Sequence, residues 1–429
     1  VAIKRALPIL HSGPGCGTMV AGFFERSTGY SGGNTAPCTN FSETDVVFGG
    51  EKKLEGIIRR SYQVLESDLQ VVLTGCTSAI VGDDVNQVVK IFSAEGKPIV
   101  FADTPGFKCT NYEAHSLVVN AIIDQYTDRL YTDRFARHDA PRDPMLVNLF
   151  ASVPYQDPFW KGNLRELKRL LEGIGFRVQA LFGPSTEGVE EWKAIPLANF
   201  NVLVSPWYGL DIVRHLEEKY DQPYFQFPYL PIGGNETSRF LRELAAFAGE
   251  RGAGIDSKTV DTFIKKEEDT FYEEIDNLAT FLLEFRYGLP GFVHILHDSG
   301  YVLGMAKFLL HETGIVPKEQ FITDKTPEQY REAILNIAEG ISPKRKIPVY
   351  FYSDAGLARE VILGAKHEGR GLIIGSGWDK ETAVEKKYDF LSAALPSPYR
   401  LVMTTGYAGY RGGLRLIEDI YNQALGTYR

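Results

Sequence analysis

Short apolar runs alternate with amphipathic stretches along the chain. LQVVLTG (69–75) is rich in β-branched residues and predicts a strand, and DDVNQVVKIFSAEG (83–96) has apolar residues at helical spacing. A second strand-like run, KPIVFAD (97–103), follows directly. This order predicts a strand–helix–strand unit with parallel strands and a right-handed crossover.

The same alternation occurs twice more. It runs through PMLVNLFAS, NLRELKRLLEGIGFRVQALFG and NVLVSPW, and then through GFVHILHDS, YVLGMAKFLLHETG and RGLIIGSGW. We therefore predict an α/β fold of three doubly wound, Rossmann-like domains with parallel sheets. The predicted domains are residues 1–145, 146–285 and 286–429. The first carries the cysteines, and the third ends in a C-terminal helix. A chain of 429 residues is long enough for several such cores.

Composition narrows the range of partners. The net charge is −9 and no basic tract stands out, which argues against a nucleic-acid partner. We find no apolar run long enough to span a bilayer and no signal peptide, so we expect no membrane partner and a cytoplasmic location. The chain begins VAIKRALPIL, without a methionine, and we expect upstream residues to be missing.

The four cysteines lie in the first quarter of the chain. Cys16, Cys38, Cys76 and Cys109 are too few for a disulfide scaffold. Their clustering favours metal binding or redox chemistry, and the alternative is four small buried hydrophobic residues.

Three of these thiols follow predicted strands. Cys16 comes after ALPIL, Cys76 ends VVLTG, and Cys109 comes shortly after PIVFAD. Because the carboxyl ends of parallel strands meet at one edge of a sheet, we expect these thiols to lie near one another. Cys38 lies in the Gly- and Pro-rich loop GYSGGNTAPCTN, which could bring it to the same edge.

The pattern suggests what such thiols could bind. There is no CxxC pair, so a zinc ribbon is improbable, whereas widely spaced cysteines are compatible with an iron–sulfur cluster. Three cysteines leave a cluster short of a fourth protein ligand unless a second subunit shares it. The glycines of HSGPGCGTMV (11–20) would let the backbone approach a bulky group closely. They also resemble a dinucleotide loop, but the spacing is GxGxG and no acidic residue follows at the required distance.

Other polar residues receive structural interpretations. His11 beside the cysteine loop is interpreted as a core histidine rather than a group near a cluster. His294 and His297 stand three apart on a predicted strand and so face opposite sides, which makes them poor joint metal ligands. Asp83 and Asp84 are predicted to cap the helix that they precede.

Five segments carry a family resemblance. HSGPGCG, SETDVVFGGEKKL, TGCTSAIVGDDV and TPGF together resemble nitrogenase component 1 proteins, and TTGYAGYRGGLRLIEDI resembles the C-terminus of their β-type subunits. The chain is therefore identified as a β-type member of that superfamily, an oxidoreductase.

The resemblance implies a cofactor and partners. Cys16, Cys38 and Cys76 stand at the positions of the β-type cysteines that bind the P-cluster, of [8Fe–7S] type, with [4Fe–4S] as the alternative. An α-type subunit would give three further cysteines in an α2β2 heterotetramer, and an ATP-dependent iron protein would supply electrons. Gly106 stands where a serine of the molybdenum enzyme acts as an auxiliary ligand, and Cys109 has no counterpart and is interpreted as a buried thiol.

The resemblance also implies where catalysis occurs. Nitrogenase α-type subunits hold the catalytic cofactor through a second-domain cysteine and a histidine near the C-terminus. This chain has no cysteine after Cys109 and no histidine after His367. We therefore expect no catalytic residue here, an electron-relay role, and a large cofactor held by the partner.

The mixture of β-type and scaffold-type segments suggests the nitrogenase-like branch. The leading hypothesis is the β-type subunit of a methylthio-alkane reductase, which cleaves carbon–sulfur bonds reductively. The alternatives are a β subunit of a dinitrogen-reducing nitrogenase, a subunit of a cofactor-assembly scaffold, and a subunit of a tetrapyrrole reductase.

Overall fold

The computed structural model describes residues 1–26, 36–132, 141–285, 288–342, 344 and 346–426. Within these residues the chain forms three β-sheets flanked by helices, and all pairings between the named strands are parallel. The predicted α/β class with parallel sheets is thus confirmed.

The first sheet has the strand order β1-β2-β3. The predicted strand–helix–strand unit is present as β2, α5 and β3. The elements of this region are β1 (Ala6–His11), α1 (Pro14–Arg26), α2 (Glu43–Phe48), α3 (Glu51–Val64), β2 (Leu69–Thr74), α4 (Cys76–Val81), α5 (Val85–Ala94), β3 (Ile99–Ala102), α6 (Asn111–Ile122), a π-helical stretch (Ile123–Thr127) and α7 (Asp128–Thr132).

The second sheet has the order β5-β4-β6-β7, so β5 lies on one side of β4 and the later strands β6 and β7 lie on the other. Its elements are β4 (Asp143–Phe150), α8 (Trp160–Gly173), β5 (Arg177–Gln179), α9 (Val189–Lys193), a 3₁₀ turn (Ile195–Leu197), β6 (Ala198–Val204), α10 (Leu210–Tyr220), β7 (Tyr224–Phe227), α11 (Gly233–Gly249) and α12 (Ser257–Phe285).

The third sheet has the order β11-β10-β8-β12-β13, with β9 also paired to β8. Its elements are β8 (Phe292–His297), α13 (Ser299–Phe308), a π-helical stretch (Leu309–Thr313), β9 (Val316–Pro317), β10 (Gln320–Ile322), α14 (Glu328–Ile341), β11 (Val349–Phe351), α15 (Ala355–Gly364), β12 (Gly371–Gly375), a 3₁₀ turn (Gly377–Asp379), α16 (Lys380–Lys386), β13 (Asp389–Ser392) and α17 (Gly409–Gly426).

The hydrophobic core is largely continuous. One cluster of buried apolar side chains reaches all three sheets and includes Val100, Leu149 and Ile295. The predicted domain boundaries stay predictions: the one at 145 falls inside β4, and the one at 285 coincides with the end of α12. In the part of the chain that the structure covers, no helix has the length and apolarity needed to cross a membrane.

Candidate functional site

Cys76 lies where the first two strands end together. β1 and β2 pair in register up to His11 and Thr74, so both reach the same edge of the sheet. The segments that follow β1 and β2 come so close together that a Cβ added at Gly75 would stand 2.1 Å from Ser12 Oγ. The Ser78 hydroxyl donates to the His11 carbonyl at 2.7 Å. Cys76, the first residue of α4, is thereby held at a fixed distance from the end of β1.

Cys38 reaches this edge through main-chain pairing with β1. Leu10 N donates to Pro37 O at 2.8 Å, and Thr39 N donates to Leu10 O at 2.9 Å. The Cys38 thiol is 3.4 Å from the carbonyl oxygen of Ser12. The part of the Gly- and Pro-rich loop at 29–35 lies outside the described residues, but its end is thus fixed next to the strand.

Cys16 lies on the first turn of α1 and is exposed. Its neighbour Gly17 contacts Cys38: a Cβ added there would stand 3.1 Å from the Cys38 Cβ and 3.3 Å from its Sγ. Gly15 has nothing within 4 Å of the same added atom. One glycine of the motif therefore makes room for a second thiol, and another borders open space.

Gly106 lies in the loop after β3, against Cys76. A Cβ added at Gly106 would stand 3.7 Å from the Cys76 Sγ. Thr74 fixes this loop, since its hydroxyl donates to Asp103 at 2.7 Å and accepts from Thr104 N at 2.9 Å. The TPGF segment is therefore part of the same edge, as its position after a parallel strand predicts.

The surroundings of Cys109 disfavour its thiolate form. Burial raises the pKa of the Cys109 thiol, and the carboxylates of Glu113 and Asp103 raise it further. Its Sγ lies 3.7 Å from the carbonyl oxygen of Pro105. Since metals bind the thiolate, these surroundings disfavour Cys109 as a ligand. Cys109 is partly buried, less than its interpretation as a buried thiol predicts.

The arrangement of the thiols limits what they could bind. Among the described residues, no three cysteine sulfurs lie within 4.8 Å of one another, as ligands of a single ion would. A cluster of several iron atoms, each with its own thiolate, does not need the sulfurs to converge on one point. The donor set and the open space at Gly15 fit such a cluster better than a lone zinc ion.

Large apolar side chains are exposed around the thiols. Met19 is one turn after Cys16 on α1 and is 74% exposed, and Ile80 is one turn after Cys76 on α4 and is 75% exposed. The helix α2, which contacts α4, adds further exposed side chains, as does the loop that contains Gly106. We call this surface the cysteine face; its apolar members are Met19, Val47, Phe48, Ile80 and Phe107. A cluster of exposed apolar residues beside potential ligands is typical of a protein interface.

His11 and Asp83 form a buried pair behind the cysteine face. His11 Nε2 lies 2.9 Å from Asp83 Oδ2, and burial lowers the pKa of His11. Asp83 also accepts from Gly50 N at 3.0 Å. The predicted capping role is therefore right for Asp84, which accepts from Gln87 N, but wrong for Asp83. Asp83 instead ties the start of α3 to the end of β1.

Buried polar side chains connect α8 and the loop after β4 with α13 and the segment before α17. Asn163 Nδ2 donates to Asp157 at 2.8 Å, and its Oδ1 accepts from the backbone of Tyr407 at 2.8 Å. The Tyr301 hydroxyl lies 3.0 Å from Asp157. Sequence reasoning missed this network because its hydrogen bonds join residues that are far apart in the chain, 244 residues in the case of Asn163 and Tyr407.

His294 and His297 face different surroundings, as predicted for alternate sides of a strand. The sequence predicts that the two are poor joint metal ligands and assigns them no role, but His294 lies next to Glu319 and His367, which come from other segments. No local spacing connects these three residues. His297 instead lies 3.1 Å from the Ala393 carbonyl.

The chain is similar to known proteins over most of its length. The chain is 24% identical over 396 residues to the nitrogenase iron-molybdenum cofactor biosynthesis protein NifE of Bradyrhizobium diazoefficiens, with 90% of this chain and 64% of that protein covered. It is 22% identical to the nitrogenase molybdenum-iron protein beta chain of Azotobacter vinelandii, with 99% and 81% covered.

The fold is also that of a known structure. A solved structure of nitrogenase Cp1 at pH 6.5 superposes with a TM-score of 0.77 at 19% identity, and covers 99% of this chain and 90% of that one. Residues 1–425 match the family described as nitrogenase component 1 type oxidoreductase. The chain therefore belongs to the nitrogenase component 1 type oxidoreductase family.

Proposed function

We propose that this chain is the β-type subunit of a nitrogenase-like reductase. In this proposal Cys16, Cys38 and Cys76 provide one half of the ligands of an iron–sulfur cluster at the boundary with an α-type subunit. The observation that carries it is the cysteine face, where three thiols at one sheet edge are bordered by exposed apolar side chains. When bound, the cluster would relay single electrons from an ATP-dependent iron protein to a cofactor in the partner.

This chain's own contribution is to position and shield the thiols. Main-chain pairing with β1 fixes the position of Cys38, and the close approach of Gly75 to Ser12 fixes the position of Cys76. Cys16 lies on the first turn of α1. Docking of an α-type subunit would bury the cysteine face and remove water from the thiols. Burial and hydrogen bonding to the sulfurs are the means by which proteins tune the reduction potential of such a cluster.

The incomplete ligand set supports the assembly that we propose. Three cysteines from each of two subunits fit a cluster of [8Fe–7S] type in an α2β2 heterotetramer, and [4Fe–4S] is the alternative. The absence of any cysteine after Cys109 and any histidine after His367 supports placing the large cofactor in the partner. Iron counting on the purified complex distinguishes the two cluster types.

For the substrate we propose the methylthio group of methylthio-alkanes, with reductive cleavage of its carbon–sulfur bond. The support is that the chain is about equally similar to a nitrogenase beta chain and to an assembly protein, which favours a separate branch of the family. The test is turnover by the complex with its reductase and ATP. Release of a thiol from a methylthio-alkane supports the proposal, whereas reduction of dinitrogen or a tetrapyrrole alone contradicts it.

An assembly scaffold is the second candidate. It is favoured by the 24% identity to a cofactor biosynthesis protein over 90% of this chain. A scaffold complex would turn over none of these substrates and would release a cofactor precursor to a recipient apoenzyme. Turnover without such release excludes it.

A further inference from the structure

A second potential metal-binding group lies in the third sheet, apart from the cysteines. His294 is in β8, Glu319 directly precedes β10, and His367 is in the segment that leads into β12. Because β8 lies between β10 and β12 in the sheet, these three segments are neighbours in space. The group is thus assembled by the strand order rather than by any local motif.

The distances suit a single ion. Glu319 Oε2 is 3.4 Å from His294 Nδ1 and 2.8 Å from His367 Nε2. One ligand atom from each residue lies within 4.8 Å of the other two. Atoms that bind zinc tetrahedrally at about 2.0–2.2 Å are about 3.4 Å apart, so only small side-chain shifts are needed.

The buried imidazole of His294 has a ring nitrogen without a hydrogen bond to any described residue. Its side chain is fully buried. Its Nδ1 lies 3.2 Å from the Glu319 main-chain oxygen, a hydrogen bond that Zn²⁺ bound at Nδ1 would replace, and its Nε2 has no hydrogen-bond partner among the described residues. The rings of Phe292 and Tyr388 pack around it. Burying an imidazole with so few polar contacts is unfavourable unless another interaction offsets the loss of hydration.

Two of the three side chains reach solvent. Glu319 and His367 each remain 17% exposed. Two imidazoles and one carboxylate with an open position form a donor set that zinc and similar ions prefer. Hard ions such as magnesium favour oxygen ligands instead.

We propose that His294, Glu319 and His367 bind one Zn²⁺ ion, which ties β8 to the segments that enter β10 and β12. The site shares no residue with the cysteine face. The proposal of a zinc site therefore does not depend on the proposed electron-relay function, and each can be tested separately.

The test is Zn²⁺ titration of the full chain and of the variants Glu319→Gln and His367→Gln, by calorimetry. His215→Gln is the matched control, since His215 in α10 is paired with Asp124 in the π-helical stretch 123–127 and not with a residue of the proposed site. We expect each site variant to bind one Zn²⁺ fewer per chain, or to bind it about 100-fold more weakly, and the control to match the wild type. Equal binding by wild type and both site variants would overturn the proposal.

Co²⁺ separates this site from the thiols. Cobalt bound by nitrogen and oxygen gives d–d absorption without the strong thiolate charge-transfer band. We expect this nitrogen–oxygen spectrum to persist when Cys16, Cys38, Cys76 and Cys109 are replaced by Ser and to disappear in Glu319→Gln. If the only cobalt spectrum is the thiolate one, the proposed site does not exist, whatever the cysteines bind.

Discussion

Gly17 and Cys38 are in direct contact: a Cβ on Gly17 would stand 3.1 Å from the Cys38 Cβ. This contact couples the helix that carries Cys16 to the segment that carries Cys38. The relative position of two proposed ligands thus depends on the absence of one methyl group.

Gly17→Ala is therefore expected to displace Cys38 and to reduce the iron content of the purified complex. Gly15→Ala is the matched control, because the added methyl group meets nothing within 4 Å. In a helix, Ala for Gly stabilises by about 0.5–1 kcal/mol, so the control should fold at least as well as the wild type. Equal iron loss in both variants would show that the close approach of Gly17 to Cys38 does not control cluster binding.

Gly75→Ala should destabilise the first sheet. The new Cβ would stand 2.1 Å from Ser12 Oγ, and overpacking of this kind costs about 1–3 kcal/mol. Urea unfolding measures the loss, and Gly56→Ala, where the added atom has open space, is the control. The double variant with Ser12→Gly should recover most of the stability, and failure to recover would point to a different cause.

The cysteine face should be needed for assembly. Ile80→Glu and Phe48→Glu place a charge at side chains that are 75% and 84% exposed, so the isolated chain should still fold. We expect them to prevent association with the α-type subunit, as measured by light scattering on co-expressed protein. Val64→Glu is the control, since Val64 is 76% exposed at the far end of α3. An intact complex in both face variants would contradict the proposed interface.

Glu312 should make stability depend on pH. Burial raises its pKa from 4.5 to about 7, although Gly234 N and Asn235 N donate to the carboxylate. A raised folded-state pKa means that the stabilisation is complete below about pH 4.5 and is lost as the pH rises through 7.

Relative to Glu312→Gln, the wild type should therefore lose about 3 kcal/mol between pH 4.5 and pH 8. Urea unfolding at both pH values checks this, with exposed Glu332→Gln as the control that should follow the wild type. Parallel pH profiles for wild type and Glu312→Gln would refute the assignment.

Local patterns predicted much of the fold. The period of apolar residues located β2, α5 and β3, because burial on a sheet imposes that period on neighbouring residues. The strand-end rule also placed Cys16 and Cys76 at one edge, since β1 and β2 end in register.

Long-range features could not be predicted in this way. Glu319 and His367 approach His294 from 25 and 73 residues away, through strand order alone. The exposure of Phe48 and Ile80 also has no sequence signal, because an apolar residue on a helix indicates burial in the same chain as readily as in a partner.

The central claim is that Cys16, Cys38 and Cys76 bind an iron–sulfur cluster and Cys109 does not. The most direct measurement is the iron content and electron paramagnetic resonance of the α-type/β-type complex carrying each Cys→Ala substitution. We predict that the first three substitutions remove iron and change or abolish the cluster signal, while Cys109→Ala leaves both unchanged. Full iron content and an unaltered signal in Cys76→Ala would contradict the account.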